Sequence, residues 1–254
     1  MSLYLQTDLF DFNINVNNWI DVFFNKSQLI KVDGKMNFDL LSTSVWTDFF
    51  NKFDETKDTN SSVGIQIDKL KLDINTLHFD AASFHDVEVQ HLEFKEKIKL
   101  HDIRAKGQGG DYHLDIIKIN NKNDGYIIYT NGEIHQISVD KLLFEFDDFN
   151  QTFINSHQIN GKISSIFNAS FFINNTSSID LKSLEFNSDN TFQHVKLIDY
   201  TYITDLVEYF DQSMITRNIV DIPYYKQKSQ KVIFKSFKTN MSFKDGKLNI
   251  SPTY

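Results

Sequence analysis

The chain has 254 residues, a formal net charge of −8, no cysteine, and a high content of 24 phenylalanines and 10 tyrosines. The absence of cysteine excludes disulfides, thiolate catalysis and cysteine-based metal sites. No arginine-rich or lysine-rich patch stands out, which argues against a nucleic-acid partner and against strong electrostatic attachment to anionic lipid. The length fits one large all-β domain or two smaller ones, and aromatic residues are typical of pleated sheets.

The first quarter of the chain predicts strands interrupted by short helices. Residues 3–16 alternate between apolar and polar types, which favours one or two strands. Residues 17–30 predict a short helix behind an asparagine cap, and Val32–Lys35 predicts a turn. Aromatic residues at helical spacing predict an amphipathic helix over residues 44–53. We expect residues 1–62 to form a separate N-terminal unit.

Residues 63–110 predict a meander of amphipathic strands. Every second residue in these runs is apolar, so one face of each strand is apolar and the other is charged. A continuous apolar face of this kind either forms an open groove for acyl chains or closes on itself as a sandwich core. The residues predicted to line this groove or core are Leu70, Leu72, Ile74, Leu77, Phe79, Val87, Val89, Leu92 and Phe94.

The meander continues towards the C-terminus with one helical crossover. Asn120–Gly125 and Asn131–Gly132 predict hairpin turns. Residues 195–211 have apolar residues at helical spacing and predict the best helix of the chain. Residues 211–230 are polar and predict an irregular linker, and residues 232–250 predict a closing hairpin.

An internal echo raises the question of a repeated unit. Residues 67–74 match residues 139–146 in residue type. A true repeat would make both segments strands of a sheet that grows by repeated hairpins, whereas chance would produce the same echo between unrelated amphipathic strands. We predict an all-β fold: an extended, curved, mostly antiparallel sheet built from hairpins, groove-like or sandwich-like, with two or three short helices. Residues 63–254 form its second unit, with the helical crossover near residues 195–211.

Residue types that carry out chemistry do not form a recognisable constellation. His78, His85, His91 and His101 lack the spacing of metal ligands, so we interpret them as polar-face or strand-end residues. The glycine cluster Gly107–Gly110 lacks the ending of a phosphate loop and is followed by a strand. Carboxylates alternate with apolar residues, as on a solvated sheet face, and no nucleophile elbow occurs. We expect no enzymatic activity, no metal and no cofactor.

The N-terminal sequence has no targeting features. Its first twelve residues, MSLYLQTDLFDF, have neither the basic start nor the apolar core of a signal peptide. A run of about 18 apolar residues, as a membrane-spanning helix requires, does not occur in the chain. We expect this sequence to be a fragment from which a targeting or anchoring segment was left out.

Motifs beyond the first quarter of the chain resemble those of a known family. They are Ile67–Leu72, Ile98–Ala105, Gly109–Tyr112, Ile159–Lys162, Ser178–Phe186, the predicted helix Leu197–Phe210 and Phe234–Pro252. In this pattern a glycine-initiated strand precedes a helical crossover and a final strand pair. The pattern resembles the AsmA-like proteins of Gram-negative bacteria over residues 63–254, whereas residues 1–62 and 211–230 match only loosely.

The resemblance implies a non-enzymatic module of a periplasmic protein that is anchored in the inner membrane and contributes to outer-membrane biogenesis. Larger members of the family are thought to form long β-structured grooves that carry phospholipid between the membranes. The expected partners are therefore phospholipid or another acyl-chain lipid, and the inner membrane through an N-terminal anchor upstream of this chain. The alternative is a β-rich, adhesion-type module that binds glycan or protein through surface aromatics such as Tyr224 and Tyr225.

Overall fold

A computed structural model of the chain describes residues 2–6, 10–17, 29–42, 64–79, 81–94, 97–122, 125–150, 152, 154–174, 179–213 and 219–253. One sheet contains all thirteen strands of these ranges. The predicted fold class is confirmed, because the sheet is long, open, curved and mostly antiparallel and is accompanied by three short helices.

The strands and helices have the following bounds. The strands are Ser2–Gln6 (β1), Phe10–Val16 (β2), Leu29–Ser42 (β3), Gly64–Phe79 (β4), Ala82–Phe94 (β5), Ile98–Gly107 (β6), Gly110–Lys122 (β7), Gly125–Ser138 (β8), Ile159–Asn174 (β9), Ile179–Ile198 (β10), Lys231–Ile233 (β11), Ser236–Lys244 (β12) and Lys247–Thr253 (β13). The helices are Val139–Glu145 (α1), Thr201–Gln212 (α2) and Ile222–Ser229 (α3), and a 3₁₀ turn spans Asp147–Asn150.

Strand order follows chain order almost throughout. The spatial order runs from β1 to β10 and continues through β12 to β13, while β11 pairs with β10 beside this path. All of these pairs are antiparallel except β3 and β4, which pair in parallel over Leu29–Ser42 and Gly64–His78. Short hairpins therefore build most of the sheet. The parallel pair joins the predicted N-terminal unit and the meander in one continuous sheet.

Burial is concentrated on one side of the first half of the sheet. The buried cluster there consists of Leu41, Leu70, Leu72, Ile74, Val87, Val89, Leu92, Ile103 and Ala105. Half-buried residues from β2 to β7, including Ile14 and Ile117, pack against it. Since the members come from one face of successive strands, the sheet supplies its core from a single apolar face.

Helix α1 covers the same face of the sheet farther along. Its residues Val139 and Leu143 form a second buried cluster with Phe192 and Val195 of β10. The two helical residues are four positions apart and so lie on the same side of the helix. Packing against β9 and β10 thus accounts for the orientation of α1.

Two predicted turns are wrong, because each lies inside a strand. Val32–Lys35 belongs to β3, and Asn131–Gly132 belongs to β8. At Gly132 a Cβ atom would come within 2.4 Å of the His113 carbonyl oxygen of β7. The glycine therefore allows a close approach between neighbouring main chains, which a sequence pattern does not distinguish from a turn. The predicted turn within Asn120–Gly125 does lie between β7 and β8.

Of the two explanations left open for the internal echo, the structure favours chance over a repeated unit. Residues 67–74 lie in β4, but residues 139–145 form helix α1. The two segments therefore share an alternation of residue types without sharing a structure.

One helix prediction and one linker prediction need correction at the C-terminal end. The helix predicted over residues 195–211 begins at Thr201, because residues up to Ile198 continue β10. The linker predicted to be irregular over 211–230 contains α3, whose N-cap Asp221 accepts a hydrogen bond from the Tyr224 amide at 3.2 Å. Pro223 lies in the first turn of α3, where its missing N–H costs nothing.

The N-terminal helix predictions fall largely outside the described residues. Of the helix predicted over 17–30, Leu29 and Ile30 belong to β3 instead, and residues 18–28 are not described. The helix predicted over 44–53 lies wholly outside the described residues.

Candidate functional site

The apolar side of the sheet is continuous because apolar residues stay in register from strand to strand. Directly paired residues on neighbouring strands point to the same side of a sheet. The first row of paired residues, from β2 to β12, is Ile14, Gly34, Leu70, Leu92, Leu100, Ile117, Thr130, Ala169, Phe186 and Phe243. The second row, from β2 to β13, is Phe12, Met36, Leu72, Val89, Ile103, Leu114, Gly132, Phe167, Ser188, Met241 and Ile250.

We call the side that carries these two rows the apolar face. No charged residue occurs in either row. The row that borders them on the other side of the sheet is polar at all but one position: Asp11, Asn37, Asp73, Glu88, Arg104, His113, Glu133, Ile166, Asp189, Asn240 and Ser251. We call this second side the polar face. The sheet is thus amphipathic from β2 to β13 along these rows.

The nine residues predicted to line a groove or core are placed on β4 and β5. Leu70, Leu72, Ile74, Val87, Val89 and Leu92 are buried, with 1–4% of each residue exposed. Leu77 and Phe94 are half-buried and pack against this cluster. Phe79 is half-buried and lies outside the cluster. The structure therefore brings eight of the nine predicted residues together.

Exposure of the apolar face increases towards the C-terminal end of the sheet. Leu72 on β4 is 1% exposed, whereas Phe237 on β12 is 36% exposed and Ile250 on β13 is 51% exposed. Phe237 stacks on its register partner Phe192 with ring centroids 4.9 Å apart. The face is therefore closed over β4 and β5 and open at Phe237 of β12 and Ile250 of β13.

A short polar strip on β9, β10 and β12 borders the two rows of the apolar face. Ser165, Asn190 and Thr239 are register partners and are 4–7% exposed. The Asn190 amide donates to Ser188 Oγ at 3.0 Å, but Thr239 Oγ1 has no hydrogen-bond partner among the described residues. Sequence reasoning missed this strip, because serine and asparagine occur on both faces of these strands.

A hydrogen-bonded chain closes one edge of the apolar face where β6 turns into β7. The Tyr112 hydroxyl donates to the Gln108 side-chain oxygen, and the Gln108 amide donates to Glu145 of α1. The Ser83 amide donates to the same Glu145 carboxylate at 3.4 Å. Burial, and secondarily the charge of Glu145, raise the pKa of Tyr112 above its usual value of 10. Tyr112 thus remains a neutral donor at this edge.

Ionisable residues on the polar face pair with one another, both between strands and within a strand. His113 Nε2 lies 3.0 Å from Asp102, and His135 Nε2 lies 3.2 Å from Glu133. The hydrogen bond from His135 holds the pKa of Glu133 below its usual value of 4.5. Two shallow depressions of about 240 and 260 Å³ also open on this face, and Asn168 and Asn187 contribute to both. The polar face is therefore a solvated surface of paired charges and amides.

Metal sites and membrane-spanning helices are not found in the described part of the chain. No three histidine, aspartate or glutamate side chains there are placed to hold a metal ion. No helix among those residues is long and apolar enough to cross a bilayer.

Sequence reasoning also missed a cationic segment near the C-terminus. Residues 222–238 contain five lysines, four aromatic residues and no aspartate or glutamate. We call these residues the lysine–aromatic segment. The expectation that no lysine-rich patch exists is wrong for this stretch. The close spacing of these lysines could have predicted the segment, but the net negative charge of the whole chain pointed away from it.

Comparison of the chain with protein-family models, with curated proteins and with solved structures gives no match.

Proposed function

We propose that this chain is a non-enzymatic, AsmA-like module that holds or transfers phospholipid along the apolar face of its sheet and so contributes to outer-membrane biogenesis. The observation that carries the proposal is the pair of register rows, which cross the sheet without a charged residue. The family resemblance supports a periplasmic localisation for the module, with an inner-membrane anchor in a segment outside this sequence.

The dimensions of the apolar face suit acyl chains. Its longer row crosses eleven strands, and with neighbouring strands about 4.8 Å apart it measures roughly 48 Å. One acyl layer contributes about 15 Å to the hydrocarbon core of a bilayer, so the row exceeds the length of an extended tail. Each methylene group that leaves water gains about 0.8 kcal/mol, so affinity for a tail does not require a specific polar contact.

The gradient of exposure defines where a lipid tail would enter. The cluster around Leu72 is closed, because its side chains are buried and pack against one another. Phe237 and Ile250 instead expose apolar surface to solvent at the other end of the same face. A tail would therefore load over β12 and β13 and extend towards β9, and deeper entry would require the sheet to open.

The test is to measure phospholipid that copurifies with the protein, by native mass spectrometry and by lipid extraction. We expect bound phospholipid in the unmodified protein and a severalfold reduction in Ile250→Glu, which places a charge on the open part of the apolar face. Ile166→Glu is the matched control, because Ile166 is 65% exposed on the polar face. It should retain the lipid.

Two results would contradict the proposal. One is an unmodified protein that neither copurifies with phospholipid nor takes up a fluorescent phospholipid from vesicles. The other is an equal loss of lipid in the Ile250→Glu and Ile166→Glu variants, since lipid would then not distinguish the two faces.

A glycan-binding module is the second candidate function. The observation that favours it is a depression on the polar face where Tyr129, which is 42% exposed, lies beside the amides of Asn131, Asn168 and Asn187. Amide groups and an aromatic ring are groups that hydrogen-bond and stack on sugars. A glycan-array signal that Tyr129→Ala removes, in a protein without bound lipid, would favour this function.

A further inference from the structure

The lysine–aromatic segment is a surface whose charge is opposite to that of the rest of the chain. Its five lysines are Lys226, Lys228, Lys231, Lys235 and Lys238, and all are exposed. The chain as a whole has a net charge of −8, so the remaining residues are still more acidic. Helix α3 packs against β11, which pairs with β10, so the segment is fixed to the sheet.

Most of these lysines have no carboxylate to neutralise them. Lys226 pairs with Asp211 of α2 at 2.8 Å. Lys228 instead lies over the ring of Tyr224, 5.7 Å from its centroid. Lys231, Lys235 and Lys238 form no ion pair with any of the described residues. Four of the five positive charges therefore remain available for a negatively charged partner.

Apolar side chains are exposed on the same segment. Ile233 is 61% exposed, and Tyr224, Tyr225, Phe234 and Phe237 are between 36% and 50% exposed. Tyrosine and phenylalanine beside lysine are typical of protein surfaces that lie at the boundary between lipid headgroups and acyl chains.

We infer that the lysine–aromatic segment docks on the surface of an anionic phospholipid bilayer. The free lysines would contact headgroup phosphates, and the rings and Ile233 would enter the acyl boundary. Single-stranded nucleic acid also attracts lysines and aromatic rings, but an aliphatic side chain such as Ile233 has no π surface on which a base stacks. The exposed aliphatic surface therefore favours a bilayer.

Neighbouring charges limit which part of the surface makes contact. Helix α2 packs against α3 but exposes Asp205 and Glu208, which an anionic surface repels. The contacting surface is therefore α3, β11 and the start of β12. Phe237 lies with its register partner Phe192 on the apolar face, whereas Lys238 lies with Thr191 on the polar face. The docking itself does not depend on lipid binding within the sheet.

The experiment measures binding of the protein to vesicles by cosedimentation, at several salt concentrations. One set of vesicles is phosphatidylcholine alone, and the other contains phosphatidylglycerol. We expect binding to the anionic vesicles that weakens as salt is added. The variant K228Q/K231Q/K235Q should bind about a hundredfold less tightly, because each lysine near an anionic surface contributes roughly fivefold.

A matched variant separates this surface from overall charge. K69Q/K97Q/K118Q removes three exposed lysines on β4, before β6 and on β7, so the net charge changes by the same amount. It should bind the anionic vesicles like the unmodified protein. A second variant, Y225S/F234S, should also weaken vesicle binding while retaining the fold, as judged by circular dichroism.

Three outcomes would overturn the inference. They are equal binding to neutral and anionic vesicles, equal weakening in the two triple-lysine variants, and preferential binding of a single-stranded oligonucleotide over anionic vesicles. None of them would bear on phospholipid that copurifies with the apolar face, so failure of this inference and failure of the proposed function are distinguishable.

Discussion

Phe84 of β5 and Tyr112 of β7 meet edge to face with ring centroids 5.2 Å apart, although β6 lies between their strands. Gly107 of β6 makes room for the contact, since a Cβ at that position would approach Phe84 Cδ1 to 3.0 Å. The two rings close the apolar face at the turn between β6 and β7 and direct the Tyr112 hydroxyl to the buried Gln108.

Tyr112→Phe tests the hydrogen-bonded chain at this edge. The substitution keeps the ring contact but leaves the side-chain oxygen of Gln108, which is 4% exposed, without its donor. We expect a loss of about 1–3 kcal/mol in the free energy of unfolding, measured with urea at neutral pH. An unchanged midpoint would show that the hydroxyl contributes no net stability.

The raised pKa of Tyr112 predicts a loss of stability in alkali. Because its pKa is higher in the folded state than its usual value of 10, the contribution is fully present below pH 10 and is lost as the pH rises above it. The free energy of unfolding should fall by at most about 1.4 kcal/mol per pH unit from this residue. Consequently the stability difference between the unmodified protein and Tyr112→Phe should narrow above pH 10. A stability difference that stays constant above pH 10 would argue against a raised pKa of Tyr112.

Leu72→Ala tests the closed part of the apolar face. Leu72 is 1% exposed and lies within the larger buried cluster, so we expect a loss of about 3–5 kcal/mol in the free energy of unfolding. Leu40→Ala on β3 is the control, because Leu40 is 54% exposed and should cost less than about 1 kcal/mol. Similar losses in the two variants would show that Leu72 is not part of a packed core.

Gly132→Ala tests the close approach of β7 and β8. The added Cβ would lie 2.4 Å from a carbonyl oxygen, so the strands must separate, and we expect a loss of about 2–4 kcal/mol in thermal or urea unfolding. Gly246→Ala is the comparison: its φ is +71° but no atom lies within 4 Å of the new Cβ. In that variant the free energy of unfolding should fall by only about 1 kcal/mol, which is the cost of placing a residue with a Cβ atom in the left-handed backbone region. A smaller cost at Gly132 than at Gly246 would contradict the steric argument.

Thr239→Val tests the polar strip. Thr239 is 6% exposed and its Oγ1 atom has no partner among the described residues, so replacing the hydroxyl by a methyl group removes an unpaired buried polar atom. We expect unchanged stability or a gain of up to about 1–2 kcal/mol. Thr191→Val on the polar face of β10 should change stability by less than about 0.5 kcal/mol. A marked loss in Thr239→Val would mean that the hydroxyl does have a partner.

The alternation of residue types by itself indicated most strands of the meander and the apolar side of β4 and β5, but it did not distinguish residues 139–145, which form helix α1, from a strand. Leu70, Leu72 and Ile74 were predicted to line a groove or core, because period-two spacing is a local property of the sequence. The structure buries these three residues. The closing hairpin predicted over residues 232–250 is likewise found, as β12 and β13, because the two-residue turn at Asp245–Gly246 depends on its own backbone.

Only the tertiary structure decided which strands are neighbours and what the ambiguous segments become. The parallel pairing of β3 with β4 joins residues far apart in sequence, and no local pattern encodes it. Val139 and Leu143 fit both a strand alternation and a helix turn, and the helix forms because β10 brings Phe192 and Val195 against that side. Gly132 shows the same dependence, since its role comes from the main chain of β7. Long-range packing therefore converted a local amphipathic pattern into one continuous apolar face.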